Sequence, residues 1–264
     1  MSSLRVRWFT LSFLLLPLLV LGAYANTINL GTAGSYAVLA ASAVSNTGSS
    51  VLYGGLGVSP GCAISGFPPG TVHGATNACN AAAAQAQVDL TNAYTAAMHL
   101  TPTGTLTGKD LGGLTLTTGV YYFASSAQLT GTLTLEGKPG ALFVFQIGTA
   151  LTTASSSSVI FINSLTGKQM NDPNVYWAVG SSATLGTSTK FTGHILALAS
   201  ITLNNGATIT CGNALAQTGA VTLNNNTISI GCGSKATVPE PGTISLMGSG
   251  LAILAGAARR RRRI

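Results

Sequence analysis

The chain is 264 residues long, 46% hydrophobic but only 6% charged, with a formal charge of +7. That positive balance sits at the ends, in Arg5, Arg7 and Arg259 to Arg263, while the middle sets five lysines against Asp89, Asp110, Glu136 and Asp172. A body this close to neutral has no field to gather nucleic acid or anionic lipid, so neither is expected as a partner.

Arg5 and Arg7 precede an apolar run from Trp8 to Leu21, and Ala23-Tyr24-Ala25 then fits an A-x-A cleavage site. This is a secretory signal peptide over 1–25, with the mature start near Asn26. Its apolar core is short for a membrane span, which needs roughly 20 residues. The body, 26–237, is long enough for one sizeable core. All four cysteines, Cys62, Cys79, Cys211 and Cys232, lie within it. An even count in an exported chain points to two disulfides. Cys62–Cys79 with Cys211–Cys232 is the most economical pairing, and two other pairings stay open. Zinc is disfavoured by spacing and compartment, and no metal or cofactor is expected.

Residues 26–58 carry short apolar patches, Tyr36 to Ala40 and Val51 to Tyr53, read as strands or partial coils. Pro60, Pro68 and Pro69 with neighbouring glycines mark an irregular loop over about 59–75, a cap. From Asn77 to Leu100 there is neither Gly nor Pro and Ala dominates, which predicts one helix over about 77–100, capped by Thr76 or Asn77. Val88, Tyr94 and the alanines are expected to form its apolar stripe. After Pro102 an alternation of period two returns. It predicts strands at 114–117, 119–123, 129–135, 141–148, 159–163 and 175–180, with 168–174 as a polar turn.

The stretch Ser182 to Ile230 repeats a theme: Ala183-Thr-Leu, Ile201-Thr-Leu and Val221-Thr-Leu, spaced by 18 and then 20 residues. Self-similarity at that period means one coil stacking on the next, a β-solenoid. Parity decides orientation. Leu151, Leu185, Ile201, Leu203, Val221 and Leu223 point in, so Ala150, Thr152, Thr184, Ser200, Thr202, Ala220 and Thr222 point out.

Two resemblances follow. Val238-Pro239-Glu240-Pro241-Gly242, an apolar stretch from Thr243 to Ala258 and the arginines 259–263 resemble the PEP-CTERM sorting signal of Gram-negative bacteria, covering 238–264. That resemblance implies processing by an exosortase, only transient membrane contact through the tail, and export toward the cell surface or extracellular matrix. A plain C-terminal anchor with positive-inside arginines is the alternative.

The order of a capping insert, an Ala-rich helix, Leu114-Thr-Leu-Thr-Thr-Gly-Val-Tyr121, Ala141-Leu-Phe-Val-Phe-Gln-Ile-Gly148, Val175-Tyr-Trp-Ala-Val-Gly180 and Gly212-Asn-Ala-Leu-Ala-Gln-Thr-Gly-Ala-Val-Thr-Leu223 resembles the microbial ice-binding proteins with a discontinuous β-solenoid. The resemblance spans about 27–230. It implies a mainly β fold: a right-handed β-helix of triangular cross-section, one long α-helix packed alongside, a cap at one end, and spatial coil order that departs from chain order. The partner it implies is the ice crystal surface, and the chain is expected to be a monomer. The family's flat face, with a T-A/G-x-T/N type pattern, carries over to Ala150, Thr152, Ser182, Thr184, Ser200, Thr202, Thr218, Gly219, Ala220 and Thr222. Thr149-Ala-Leu-Thr152 fits the short pattern, while Thr218 to Thr222 has one residue more.

Composition agrees: residues 101–230 hold twenty-four threonines against three acidic and four basic residues. Threonine is also an ordinary strand residue on any exposed solenoid face. Two other classes stand beside this reading. A solenoid hydrolase or lyase needs clustered carboxylates or histidines, yet Asp89, Asp110, Glu136, Asp172, His73, His99 and His194 are scattered, which argues against an enzyme. A surface or matrix protein that binds carbohydrate needs aromatic platforms, for which Tyr121, Tyr122, Tyr176 and Trp177 are the candidates.

Overall fold

The computed structural model describes residues 28–170 and 174–232; the signal segment, Asp172 and the sorting tail lie outside the described residues. Strands of two to six residues, separated by tight corners, form three sheets of nine, seven and nine strands among the described residues. One coil shows the rule. Ala214–Ala216 lies in sheet A, Val221–Asn224 in sheet B and Thr227–Ser229 in sheet C. Its alternate residues Ala214, Ala216, Val221, Leu223 and Ile228 all enter one shared core. Each coil therefore closes one turn of a three-sided prism, and its neighbours stack on it in parallel register, as at Ala183↔Ile201 and Thr208↔Thr227.

Chain order and spatial order differ. The early coil Tyr36–Ala40, Ala43–Thr47 and Val51–Tyr53 stacks on the last coil, with Val38 beside Ala214, Val44 beside Val221 and Leu52 beside Ile228. A further coil, Gly55–Val58, Ala63–Ser65 and Thr71–Val72, stacks beyond it. Thr76–Ala78 then ends sheet A, and the helix returns the chain to the far end, where Gly104–Thr105 begins the remaining coils. The final strand, Thr227–Ser229, consequently lies inside the stack between Thr208–Thr210 and Val51–Tyr53.

Several expectations need correction. The helix runs from Ala81–Met98, starting later than expected, because Thr76–Ala78 is recruited as a strand against Gly55–Val58. Asn80 caps it, its Oδ1 accepting from Ala83 N at 3.0 Å. The buried stripe is Ala83, Ala86, Leu90, Ala93 and Ala97, at alternating spacings of three and four, whereas Val88 is 53% exposed. That stripe seats on Leu39, Val144, Ala178, Leu196 and Leu215, the outward side chains of sheet A. Small alanines allow the helix to approach closely. Gln146, buried in sheet A, donates to the carbonyls of Ala97 and Leu100 at 2.8 and 2.7 Å, satisfying the helix end.

The stretch 129–135 is two strands, Ala127–Leu129 and Thr132–Gly137, divided by Gly131 at φ +90°, where the chain turns from sheet B to sheet C. Residues 59–75 are only partly irregular, since Ala63–Ser65 and Thr71–Val72 keep the alternation and extend sheets B and C. The polar turn near 168 contains Gln169–Met170, which folds back antiparallel on Ser158–Asn163. Among the described residues no helix is long and apolar enough to cross a membrane.

Aromatic rings fill the wide coils of the core. Trp177 stacks on Phe145 at 3.9 Å and leans on Phe191 at 4.8 Å. The indole N–H donates to the Thr192 carbonyl at 3.1 Å, so its burial leaves nothing unpaired. Both disulfides have the economical pairing, Cys62–Cys79 at the capped end and Cys211–Cys232 between adjacent coils. They close loops of 17 and 21 residues, so each should contribute about 3 kcal/mol by restricting the unfolded chain. Reduction is expected to lower the melting temperature clearly in calorimetry. Superimposable melting curves with and without reductant would show that the bonds carry no stability.

Candidate functional site

The three outer surfaces of the prism differ. That of sheet A is covered by the helix. The outward columns of sheet C are mixed: Lys190 stands between Ser158 and Thr208, Ile160 and Tyr53 lie two residues further along their strands, and Glu136 stands beside Ile162 and Thr117 in a third column. Sheet B stays open and uniform. Its central outward column runs Gln128, Thr152, Thr184, Thr202, Thr222, Ser45 and Ser65, each beside the next on the adjacent coil. From Gln128 to Ser65 no charged side chain stands in that column; Asp110, bridged to Gln128, takes the position beyond its far end.

Why these residues face out follows from their partners one position away. Leu151, Ala183, Leu185, Ile201, Leu203, Val221 and Leu223 are fully or almost fully buried in the core, and strand pleating sends the intervening threonines to the other side. The hydroxyls therefore repeat at the coil spacing of about 4.8 Å. β-Branching holds each threonine to few rotamers, and Ser45 Oγ reaches Thr222 Oγ1 at 3.5 Å.

Beside this column lies a second row of small residues at the strand entrances. Ala150, Ser182, Ser200 and Ala220 are half-buried. Their carbonyls accept from Ala127, Leu151, Ala183 and Ile201 respectively in the first two and next two coils: Ala150 O from Ala127 N, Ser182 O from Leu151 N, Ser200 O from Ala183 N, and Ala220 O from Ile201 N, at 2.9 to 3.1 Å. The serine hydroxyls serve the backbone as well, with Ser182 Oγ accepting from Ser200 N and Ser200 Oγ from Ala220 N.

Thr218 and Gly219 do not join either row. They form the corner between sheets A and B, before the strand that begins at Val221. Thr218 Oγ1 donates to the Leu198 carbonyl at 2.6 Å. A Cβ at Gly219 would meet Ser200 Oγ at 2.2 Å, so glycine is needed there for close packing. The structure thus brings eight of the ten expected residues onto the strands or strand entrances of sheet B and leaves these two on its rim.

The opposite border, between sheets B and C, is pinned by buried polar groups. Thr153 and Thr189 share a hydroxyl bond at 2.9 Å, and Ser157 Oγ donates to the Leu129 carbonyl at 2.9 Å. Asn226 Nδ2 donates to the carbonyls of both Asn204 and Ala207 at 2.9 Å. These bonds hold the corners, and with them the face's edge, in place.

Asp89, Asp110 and His194 have structural partners. Asp89 accepts from the Thr32 hydroxyl and amide at 2.6 and 2.7 Å and from Gln85, tying the helix to the Gly31–Ser35 turn. Asp110 accepts from Gly112 N and Thr130 N at 2.7 and 2.8 Å, holding the end coil. Buried His194 engages Asn213 through Nδ1, and Asn213 donates to the Tyr36 carbonyl at 2.8 Å. Of the aromatic candidates, Trp177 and Tyr176 are buried, Tyr121 stacks on Phe145 and only Tyr122 is exposed, so they make no platform.

A family model described as ice-binding-like matches residues 38–229. The chain belongs to the ice-binding-like family. A second model, the PEP-CTERM protein-sorting motif, matches residues 237–263. An ice-binding protein of Nostoc sp. strain HG1 is 54% identical over 239 residues, covering 88% of this chain and 87% of that one. One from Flavobacterium frigoris is 32% identical over 223 residues, covering 79% and 78%. Among solved structures, the ice-binding protein of the Antarctic ascomycete Antarctomyces psychrotrophicus superposes with a TM-score of 0.71 at 39% identity, covering 77% of this chain and 98% of that one. As in that family's solenoids, this chain is mainly β with parallel sheets and one long helix.

Sequence reasoning missed Gln128, Ser45 and Ser65 as members of the central column. Ser45 was within reach, since Ala43-Val44-Ser45 has the parity of Ala220-Val221-Thr222. What it lacks is any sign that a segment 177 residues away is its neighbour.

The two anchoring aspartates set an acid limit on this ice-binding family member. Hydrogen bonds from the Thr32 hydroxyl and amide hold the Asp89 carboxyl below its ordinary 3.8, despite some opposing desolvation. Burial pushes Asp110 up, but bonds from Gly112 and Thr130 outweigh it and leave it low too. A carboxyl lowered by folding stabilises fully above its unfolded value, and the contribution fades as pH falls through the folded one. Denaturation midpoints should therefore drop between about pH 5 and pH 2. Asp110→Asn should flatten part of that drop; a variant whose profile overlays the parent's would remove Asp110 from the account.

Proposed function

We propose that the chain is an exported ice-binding protein that adsorbs to ice through sheet B and thereby inhibits ice growth or recrystallisation. The observation that carries this reading is the unbroken outward column Thr152, Thr184, Thr202, Thr222 and Ser45, with the row Ala150, Ser182, Ser200 and Ala220 beside it. Thr218 and Gly219 belong to the rim of that surface.

The chemistry supports it. A threonine hydroxyl donates one hydrogen bond and accepts two, so it orders water in the manner of a lattice site. The adjacent γ-methyl shelters that water from exchange with the bulk. Repetition at the coil spacing extends the order along the solenoid axis, and a charged group there would keep a hydration shell of its own shape. Ice advancing between adsorbed molecules must curve, which lowers its local freezing point. No step in this process makes or breaks a covalent bond, and the role is not catalytic.

The sorting motif supports export to the surface of a Gram-negative cell, with an exosortase removing the tail and the membrane engaged only through it. The solenoid closes its own core and acts as a monomer.

Thr202→Lys or Thr222→Lys is expected to reduce thermal hysteresis at least tenfold and abolish crystal shaping, with an unchanged circular dichroism spectrum. Thr208→Lys, on sheet C, should leave both intact. Undiminished hysteresis in Thr202→Lys, or an equal loss in Thr208→Lys, would overturn the assignment of sheet B.

A further inference from the structure

At the corner between sheets B and C, one residue per coil turns with positive φ: Ser156, Ser188, Gly206, Asn225 and Gly48. Their amides form a ladder along the stack. Ser156 N donates to the Thr187 carbonyl, Ser188 N to that of Asn205, Gly206 N to that of Asn224 and Asn225 N to that of Thr47, at 2.8 to 3.0 Å. The rung at Gly206 carries a chemistry that the others lack, because Asn205-Gly206 is the one Asn-Gly pair in the chain. Glycine has no side chain to crowd the approach, so its amide nitrogen can attack the side-chain carbon of the preceding asparagine. A Gly206 N–Asn205 Cγ bond forms, the amide proton passes to Nδ2, and Nδ2 leaves as ammonia. The resulting succinimide is opened by water to aspartate, or to isoaspartate, whose backbone runs through the side chain. We propose that Asn205 is a site of spontaneous deamidation and that the corner ladder holds it unreactive in the folded protein.

The peptide unit that must react is held at both ends. Its carbonyl, on Asn205, accepts from Ser188 N at 3.0 Å in the coil on one side, and its N–H, on Gly206, donates to the Asn224 carbonyl at 3.0 Å in the coil on the other. Attack requires the nitrogen to give up that proton and the peptide plane to turn toward Cγ. Either motion breaks the ladder. Asn226 braces the same turn from within, through its bonds to the carbonyls of Asn204 and Ala207. The side chain is held as well: Asn205 Oδ1 accepts from Asn225 Nδ2 at 2.9 Å, and Asn225 Oδ1 accepts from Ser49 N at 2.9 Å. Asn205 is exposed, so water reaches it freely. Its reaction therefore waits on local opening of the corner and not on access of solvent.

The product bears on the neighbouring face. Isoaspartate adds an atom to the backbone between Ile201–Leu203 of sheet B and Thr208–Thr210 of sheet C. The two strands can then no longer both keep register with Val221–Asn224 and Thr227–Ser229. On the sheet B reading above, on which this consequence alone rests, Thr202 is drawn out of its column.

Deamidation of the full chain would be followed by peptide mass spectrometry, with isoaspartate scored by enzymatic methylation, during warm incubation at mildly alkaline pH. Unfolded in urea with its disulfides reduced, the chain should react at Asn205 faster than at any other asparagine. Folded, Asn205 should react at least about tenfold more slowly than in urea, and the Gly206 amide should exchange its hydrogen correspondingly slowly by NMR. Asn225→Gly, which suits the positive φ there, should raise the folded rate about fivefold, the weight of one ordinary hydrogen bond, and leave the urea rate unchanged. Equal rates in the folded chain and in urea, or a Gly206 amide that exchanges as fast in both, would overturn the protection by the ladder. An unchanged or slower folded rate in Asn225→Gly would overturn the hold on the side chain, and another asparagine reacting first in urea would overturn the choice of site. Should Asn225→Gly fail to fold, the parent's two rates and its amide exchange still decide. None of these readouts involves ice, so a failure here and a failure of the sheet B reading are told apart.

Discussion

Everything in this structure depends on the alternation of one buried apolar residue with one small outward residue, repeated until coils stack in parallel register. A strand as short as Ile201–Leu203 has no independent stability, since few hydrogen bonds repay the ordering of its backbone. It persists because Ala183–Leu185 lies on one side and Val221–Asn224 on the other. The same ladder places Thr184, Thr202 and Thr222 at equal intervals. Fold stability and surface regularity are thus two consequences of one set of contacts.

The discontinuity adds to this. Were the solenoid to follow chain order, Thr227–Ser229 and Val221–Asn224 would form its terminal coil, with open strand edges. Insertion of the segment 36–72 beyond them covers those edges, and it extends the sheet B column through Ser45 and Ser65. The helix then spans the outer side of sheet A from the capped end back to the first coil. Asp89 with Thr32 at one point, and Gln146 with the helix end at another, fix it there. Sheet A becomes an interior layer covered on both faces, which is why Val175–Val179 reads as a continuous hydrophobic run and Phe143–Ile147 as one broken only by Gln146.

The sequence reveals those features that depend on local periodicity. The in-or-out parity of Leu151, Ile201 and Val221 is legible because each strand obeys it within five residues. The economical cysteine pairing reflects a coil length visible in the repeats of Thr-Leu. Boundaries were less legible where tertiary pairing overrides propensity: Thr76-Asn77-Ala78 has helix-compatible neighbours but is claimed by Gly55–Val58. Corners were harder still. Nothing in Thr130-Gly131-Thr132 declares that the chain changes sheets there, and only the neighbouring coils decide it. The roles of Thr218 and Gly219 illustrate the same limit, for a pattern of residue types does not say which of them the corner consumes.

Sheet C supplies the comparison that gives sheet B its meaning. Both sheets bury the same kinds of side chain inward, in Phe191, Ile209 and Ile228 on one and Leu185, Leu203 and Leu223 on the other. Both leave their outer sides free of the helix. Yet sheet C tolerates Lys190, Glu136, Ile160 and a Tyr53 stacked on His73 at 4.8 Å without loss of register. Folding alone therefore places little restriction on what an outward position carries. The uniform column on sheet B is more than the core requires. An even, hydroxyl-bearing surface has to be explained by what meets it from outside, and under the proposed function that partner is ordered water.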